Sequence, residues 1–220
     1  MYEGSKGFQK QLVNIAYTHA PDEIIEALLL IIDKQDKSSL GICVTQLVEG
    51  CWDEQIANAI FDKLQKKKLT VRSKSSLIAC LLKHRFPKAK DCAERFMPKT
   101  PFNKIKRTRA ICLSNAFVEN EIDGVWPLIW SVMEKDDKYA EIIISNLANY
   151  SNSNKVVKFL KPKQLSDLYV FVEKKYPTSE DPYYEGVHGV GTKEQIGFWR
   201  NQILTYLSNM GTVEAGKAIE

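Results

Sequence analysis

The sequence predicts an all-α protein, an α-α superhelix of about six helical hairpins, on three observations. Apolar residues recur at spacings of three and four along the whole chain, strand-like alternation is almost missing, and helix breakers fall at near-regular intervals. The 220 residues carry 44% apolar and 26% charged side chains, which supplies a core within an ordinary globular composition.

Segment 23–32 (EIIEALLLII) places Ile24, Leu28 and Ile31 on one helical face, with Ile25, Leu29 and Ile32 beside them. Segment 55–64 (QIANAIFDKL) repeats the pattern with Ile56, Ile60, Phe61 and Leu64. Breakers separate such stretches: Pro21-Asp22, residues 36–39, Pro87, Pro98 to Pro101, residues 120–124 and residues 151–154. Second-of-pair helices are expected to begin near Asp22, Asp53, Lys88 and Asp123, in steps of 31, 35 and 35 residues. Those steps suit helical-hairpin repeats. Cys43, Cys80 and Cys112 each follow a small or apolar pair, as a shared position in stacked first-of-pair helices would. Neither W-x2-L-G-x2-Y nor T-P-L-H occurs, which leaves a single HEAT-like array over 1–220 rather than tetratricopeptide or ankyrin repeats. Gly211 is placed to end a helix with positive φ, and Thr212 to cap the next, with Glu214 near its positive end. That last helix would be short, so a piece of a longer polypeptide is expected.

No apolar run is long enough to span a bilayer, and the N-terminal residues carry no secretory pattern, so a cytoplasmic address is expected. The five cysteines form no CxxC pair and lie far from the three histidines, so they read as reduced, buried thiols rather than metal ligands. His84, at a helix end, suits the dipole as a partial positive charge. Trp126 and Trp130, four apart, read as core, with Asp123 capping their helix and Pro127 in its first turn. Phe86, Phe96 and Phe102 also read as core.

The net charge of +4 conceals a strong asymmetry. Residues 1–60 sum to −5, residues 61–110 to +13 and residues 111–220 to −4. Within the basic block, Lys66, Lys67, Lys68, Arg72 and Lys74 form one cluster, and Lys99, Lys104, Lys106, Arg107 and Arg109 a second. They begin 33 residues apart, close to one repeat, so a solenoid would stack them into one basic strip over 66–109. Such a strip attracts phosphate or an acidic protein surface.

One long irregular segment runs from Pro177 to Thr192 (PTSEDPYYEGVHGVGT). Its order Gly-Thr-Lys is not the Gly-Lys-Ser/Thr of a phosphate-binding loop, so no cofactor is expected. His188 reads as a loop-tying side chain rather than a metal ligand. Tyr183 and Tyr184 either pack the loop or present aromatic surface to a partner. No paired-carboxylate, Ser-His-Asp or HExxH set is recognisable, so no catalytic residue is assigned.

The stretch from Asp167 onward, with Tyr176-Pro177, Asp181-Pro182, Glu185-Gly186, His188, and Gly211-Thr212 with Glu214-Ala215, resembles the C-terminal HEAT-like helical-repeat region of prokaryotic STAND/NACHT-type NTPases. The resemblance implies that an NTPase module lies upstream, outside this chain. It also implies that the repeats sense a ligand or bind and scaffold a protein partner, including the NTPase module itself, in signalling or defence. The candidate partner-binding residues are Lys67, Lys68, Arg72, Lys74, Lys104, Lys106, Arg107, Arg109, Tyr183, Tyr184 and His188. Two alternatives stand beside this one. The first is a nucleic-acid-binding HEAT-like domain using the strip at 66–109, including a base-excising repair enzyme; the second is an architectural spacer.

Overall fold

A computed structural model describes residues 3–37, 42–66, 68–100, 102–182, 189–211, 213 and 216. Among these residues the regular structure is entirely helical, without a strand. The α-helices in chain order are α1 (Glu3–His19), α2 (Pro21–Asp36), α3 (Glu54–Lys66), α4 (Val71–Lys83), α5 (Ala89–Phe96) and α6 (Lys104–Glu119). They continue as α7 (Trp126–Met133), α8 (Asp137–Ala148), α9 (Tyr150–Phe159), α10 (Pro162–Lys175) and α11 (Thr192–Met210). Short 3-10 turns cover Val44–Val48 and Thr178–Glu180. Helices begin at Pro21, Glu54, Ala89 and Trp126, each within three residues of an expected start.

Local chemistry sets these boundaries. Thr70 Oγ1 accepts from the Ser73 N–H (3.2 Å), Asn103 Oδ1 from Lys106 (2.8 Å) and Asp136 Oδ1 from Tyr139 (2.8 Å). Each bond satisfies one otherwise orphaned donor in a helix's first turn. These three caps, on α4, α6 and α8, recur every 33 residues. The ends of α4 and α6 also match. Arg85 and Glu121 both take left-handed backbone (φ 54° and 51°). The following amides reach back to carbonyls five residues earlier, Phe86 to Leu81 and Ile122 to Phe117, each at 3.0 Å. Together with Arg85 to Leu82 and Glu121 to Val118, this is the Schellman arrangement, with apolar residues on both sides of the long bond.

Two local expectations are corrected. The segment holding Cys43 forms only the 3-10 turn Val44–Val48, so Cys43 lies at a turn and not within a first-of-pair helix. Val125 occupies the N-cap of α7 without a bond from its own side chain, and Pro127 falls in the first turn, where its missing N–H costs nothing. The helical face of α2 is rotated from the one expected: Leu28 and Ile32 are buried, while Leu30 and Ile31 are exposed. Gly211 ends α11 with φ 59°, as expected, whereas Thr212 and Glu214 lie outside the described residues.

The chain divides into two compact units, residues 1–98 with 103–116, and residues 99–102 with 117–220. The first is centred on Ile32 of α2, Ile56 and Ile60 of α3, Leu77 and Leu81 of α4 and Leu113 of α6, all fully buried. In the second, Ile144 of α8, Leu165 and Leu168 of α10 and Ile203 and Leu207 of α11 form the equivalent centre. All five thiols are free, but they are not buried as expected: Cys43 is exposed and the other four are half-buried. Cys80 is the most enclosed, and burial pushes its thiol up to about 11. Trp126 is buried, and Trp130 lies between it (6.0 Å) and Phe171 (5.3 Å).

Candidate functional site

Within the first unit, part of the basic block is spent on internal contacts. Lys74 Nζ lies 5.7 Å and Arg109 Cζ 4.6 Å from the centre of the Phe96 ring, so one member of each predicted cluster meets the same aromatic ring. Lys88 sits 5.7 Å from the Phe61 ring, which tilts against Phe86 at 5.4 Å. Phe86, Phe96 and Phe102 are half-buried, so they are not core in the sense expected; Phe96 is a platform for cations. Arg109 Nε is buried without a hydrogen-bond acceptor, and the ring compensates that charge. Carboxylates hold further cations: Lys63 on Asp33 (2.6 Å), Lys66 on Asp62 (2.9 Å) and Lys83 on Glu49. Lys68, Arg72, Lys104 and Lys106 are exposed, Arg107 is half-buried, and Lys67 lies outside the described residues.

The opposite kind of surface lies on α1. Lys10 donates to Glu49 Oε2 (2.8 Å) and the Tyr17 hydroxyl to Asp53 Oδ2 (2.7 Å), so this polar face of the helix turns inward. Lys10 and Lys83 together bring the Glu49 carboxyl down to about 2. At roughly 100° per residue, Phe8, Leu12 and Ile15 fall on the far side from Lys10 and Tyr17. They are 61%, 50% and 60% exposed, an apolar stripe at i, i+4 and i+7. Hydrophobic periodicity alone would bury this stripe, so sequence reasoning missed it. Its signal is a second candidate inward face, Lys10-Asn14-Tyr17, of which Lys10 and Tyr17 find carboxylates across the packing.

Tyr183, Tyr184 and His188 lie outside the described residues; the residues that precede them meet α11 through a buried arginine. Arg200 of α11 is fully buried. Its guanidinium donates to the Tyr176 carbonyl and to Asp181, while Nε lies 3.0 Å from Glu173 Oε2, close enough for an ion pair but off the hydrogen-bond axis. Glu173 also accepts from the Thr178 N–H and hydroxyl, both at 3.0 Å. A Cβ on Gly197 would stand 3.0 Å from Asp181 Oδ1, so the glycine lets this carboxylate close on α11. Asp181, named in the sequence with Pro182, therefore fastens the segment at residues 176–181 to α11. Arg200 itself was missed, although Ile196, Trp199, Arg200, Ile203 and Leu207 share one helical stripe in which arginine takes a core position.

His84 corrects another expectation. Its ring stacks on Trp52 at 3.8 Å and 8°, and burial first, then Lys83, lowers its pKa. The imidazole at the end of α4 is favoured neutral rather than as a cation answering the dipole.

The fold and these surfaces define an all-helical protein with recurring caps and turn motifs, an uncovered apolar helix face and a partly exposed basic region. Among the described residues no helix is long and apolar enough to cross a membrane. No protein-family model, curated protein or solved structure matches the chain.

Proposed function

We propose that this chain is a non-catalytic, HEAT-like repeat segment that binds a partner protein through the α1 stripe Phe8-Leu12-Ile15. The exposure of that stripe carries the proposal. Three large apolar side chains at helical spacing lose their contact with water only when an apolar face covers them, and each fully covered side chain contributes about 1.5–3 kcal/mol. The matching occupant is the apolar face of an amphipathic helix, whose i, i+3/i+4 and i+7 residues interleave with the stripe. The caps at 33-residue intervals and the paired Schellman ends support a repeat reading in which hairpins stack as an α-α superhelix. On the resemblance of residues 167–220, the parent is a signalling or defence NTPase of STAND/NACHT type, and its upstream module is one candidate partner.

A photoreactive benzoylphenylalanine at Leu12, introduced in the producing cell, tests the proposal. One discrete protein adduct is expected at Leu12 and not at exposed Gln46. Equal labelling at both positions, or none at Leu12, would overturn it.

A second reading rests on the exposure of Lys68, Lys104 and Lys106 within a block of net charge +13: non-specific binding to a duplex backbone. Retention on duplex DNA that weakens with salt and drops on K68E/K104E/K106E would support it, and salt-independent retention would exclude it.

A further inference from the structure

The second unit holds a cleft of about 590 Å³ beside α11, within the range of small-molecule sites. Gln195, Phe198, Trp199 and Gln202 of α11 form one wall, and Ala148 and Ser153 of α8 and α9 contribute to the other. In a protein with 26% charged residues, no charged side chain lines it among the described residues. Val190 and Phe198 are exposed apolar groups at its rim. Trp199 is buried, and its indole Nε1 is closed to water without an acceptor. A buried donor left unmatched costs about 1–3 kcal/mol, and native structures hold few of them.

We infer that this cleft binds a neutral, largely apolar small molecule whose carbonyl or comparable acceptor takes the Trp199 indole N–H. The uncharged lining disfavours an ionic ligand, because its charge would lose water and gain no counter-charge. Apolar walls reward a ring or alkyl body, and the unmatched donor selects for one acceptor upon it. The indole N–H is closed to water in the free protein, so the ligand must displace part of its cover, and we assign that movement to Phe198, the exposed side chain next to Trp199 in the lining. The inference stands apart from the α1 stripe, which belongs to the other unit.

Benzamide is a suitable probe, with toluene as the acceptor-free analogue and benzoate as the charged one. In a chain labelled with 15N-tryptophan, the four indoles give four N–H cross-peaks; W52F, W126F and W130F assign three and leave Trp199 by elimination. Benzamide should move the Trp199 peak downfield and saturably, binding about fivefold or more tighter than toluene or benzoate. Phe198→Ser, at an exposed position, should weaken that binding while the other peaks stay in place. A Trp199 peak that stays put at the solubility limit of benzamide would overturn the inference. So would equal affinity for toluene, or four indoles moving together. Should the cleft instead take an apolar side chain from a partner protein, toluene would match benzamide, and the acceptor claim would fail.

Discussion

Arg200 shows how a charged residue can hold a core position. Removing a guanidinium from water costs several kcal/mol, and two carboxylates and a backbone carbonyl roughly offset that cost. Breaking the set is a different matter, because it leaves the remaining groups without their counter-charge. Arg200→Ala should lower stability by about 2–4 kcal/mol in urea denaturation, at the lower side because Glu173 and Asp181 keep partial contact with water. A loss below about 1 kcal/mol would show that the clamp is incidental. Glu49 makes a second residue-level claim. Its carboxyl is held at about 2 against an ordinary 4.5 by hydrogen bonds from Lys10 and Lys83. The folded-state pKa is depressed, so the associated stability is complete above about 4.5 and is lost as pH falls from there towards 2. Both lysines are substantially exposed, which screens the pair and leaves an effect of about 1 kcal/mol. Glu49→Gln should remove that part of the acid sensitivity, as read from thermal midpoints across this pH window; an unchanged slope would contradict the assignment. Neither network was legible in the sequence, because each joins residues that become neighbours only through packing: Lys10 and Glu49 are 39 positions apart, and Tyr176 and Arg200 are 24 apart.

At the scale of the element, the helices themselves were legible and their faces less so. In α3, Ile56, Ile60 and Leu64 are buried as their spacing requires, because no competing inward face exists. In α1 the polar face won the interior, since Lys10 and Tyr17 meet Glu49 and Asp53, and the apolar residues were left outside. In α2 the face turned so that Leu28 and Ile32 went in and Ile31 did not. The C-terminal ends of α4 and α6 carry a cost that the sequence does not announce, because arginine and glutamate stand where glycine is favoured. Arg85→Gly and Glu121→Gly should each raise stability by about 0.5–1 kcal/mol by relieving the left-handed backbone, less the extra freedom gained by the unfolded chain. Gly211→Ala, at the equivalent left-handed position after α11, should cost about 1 kcal/mol. Chemical denaturation of the three variants checks both signs at once. A neutral or destabilising Arg85→Gly would mean that its side chain contributes more than the backbone cost.

For the molecule as a whole, the all-helical class and the near-regular spacing of elements followed from periodicity and breakers, which are local signals. The distribution of charge was visible too, but not its use. The +13 of residues 61–110 suggested a continuous binding strip, whereas Phe96 takes Lys74 and Arg109, and Asp33, Asp62 and Glu49 take Lys63, Lys66 and Lys83. Of the paired lysines only Lys63 is withdrawn from the surface, whereas Lys66 and Lys83 stay exposed; the exposed apolar stripe on α1 is the surface on which the proposed binding rests. The direct measurement is quantitative co-purification from the producing cell, comparing the natural chain with the F8S/L12S/I15S variant and, as control, K68E/K104E/K106E. Binding through the stripe predicts that one protein recovered with the natural chain falls at least about tenfold with the serine variant and persists with the charge-reversed one. Equal recovery with the serine variant, or loss only on charge reversal, would contradict it.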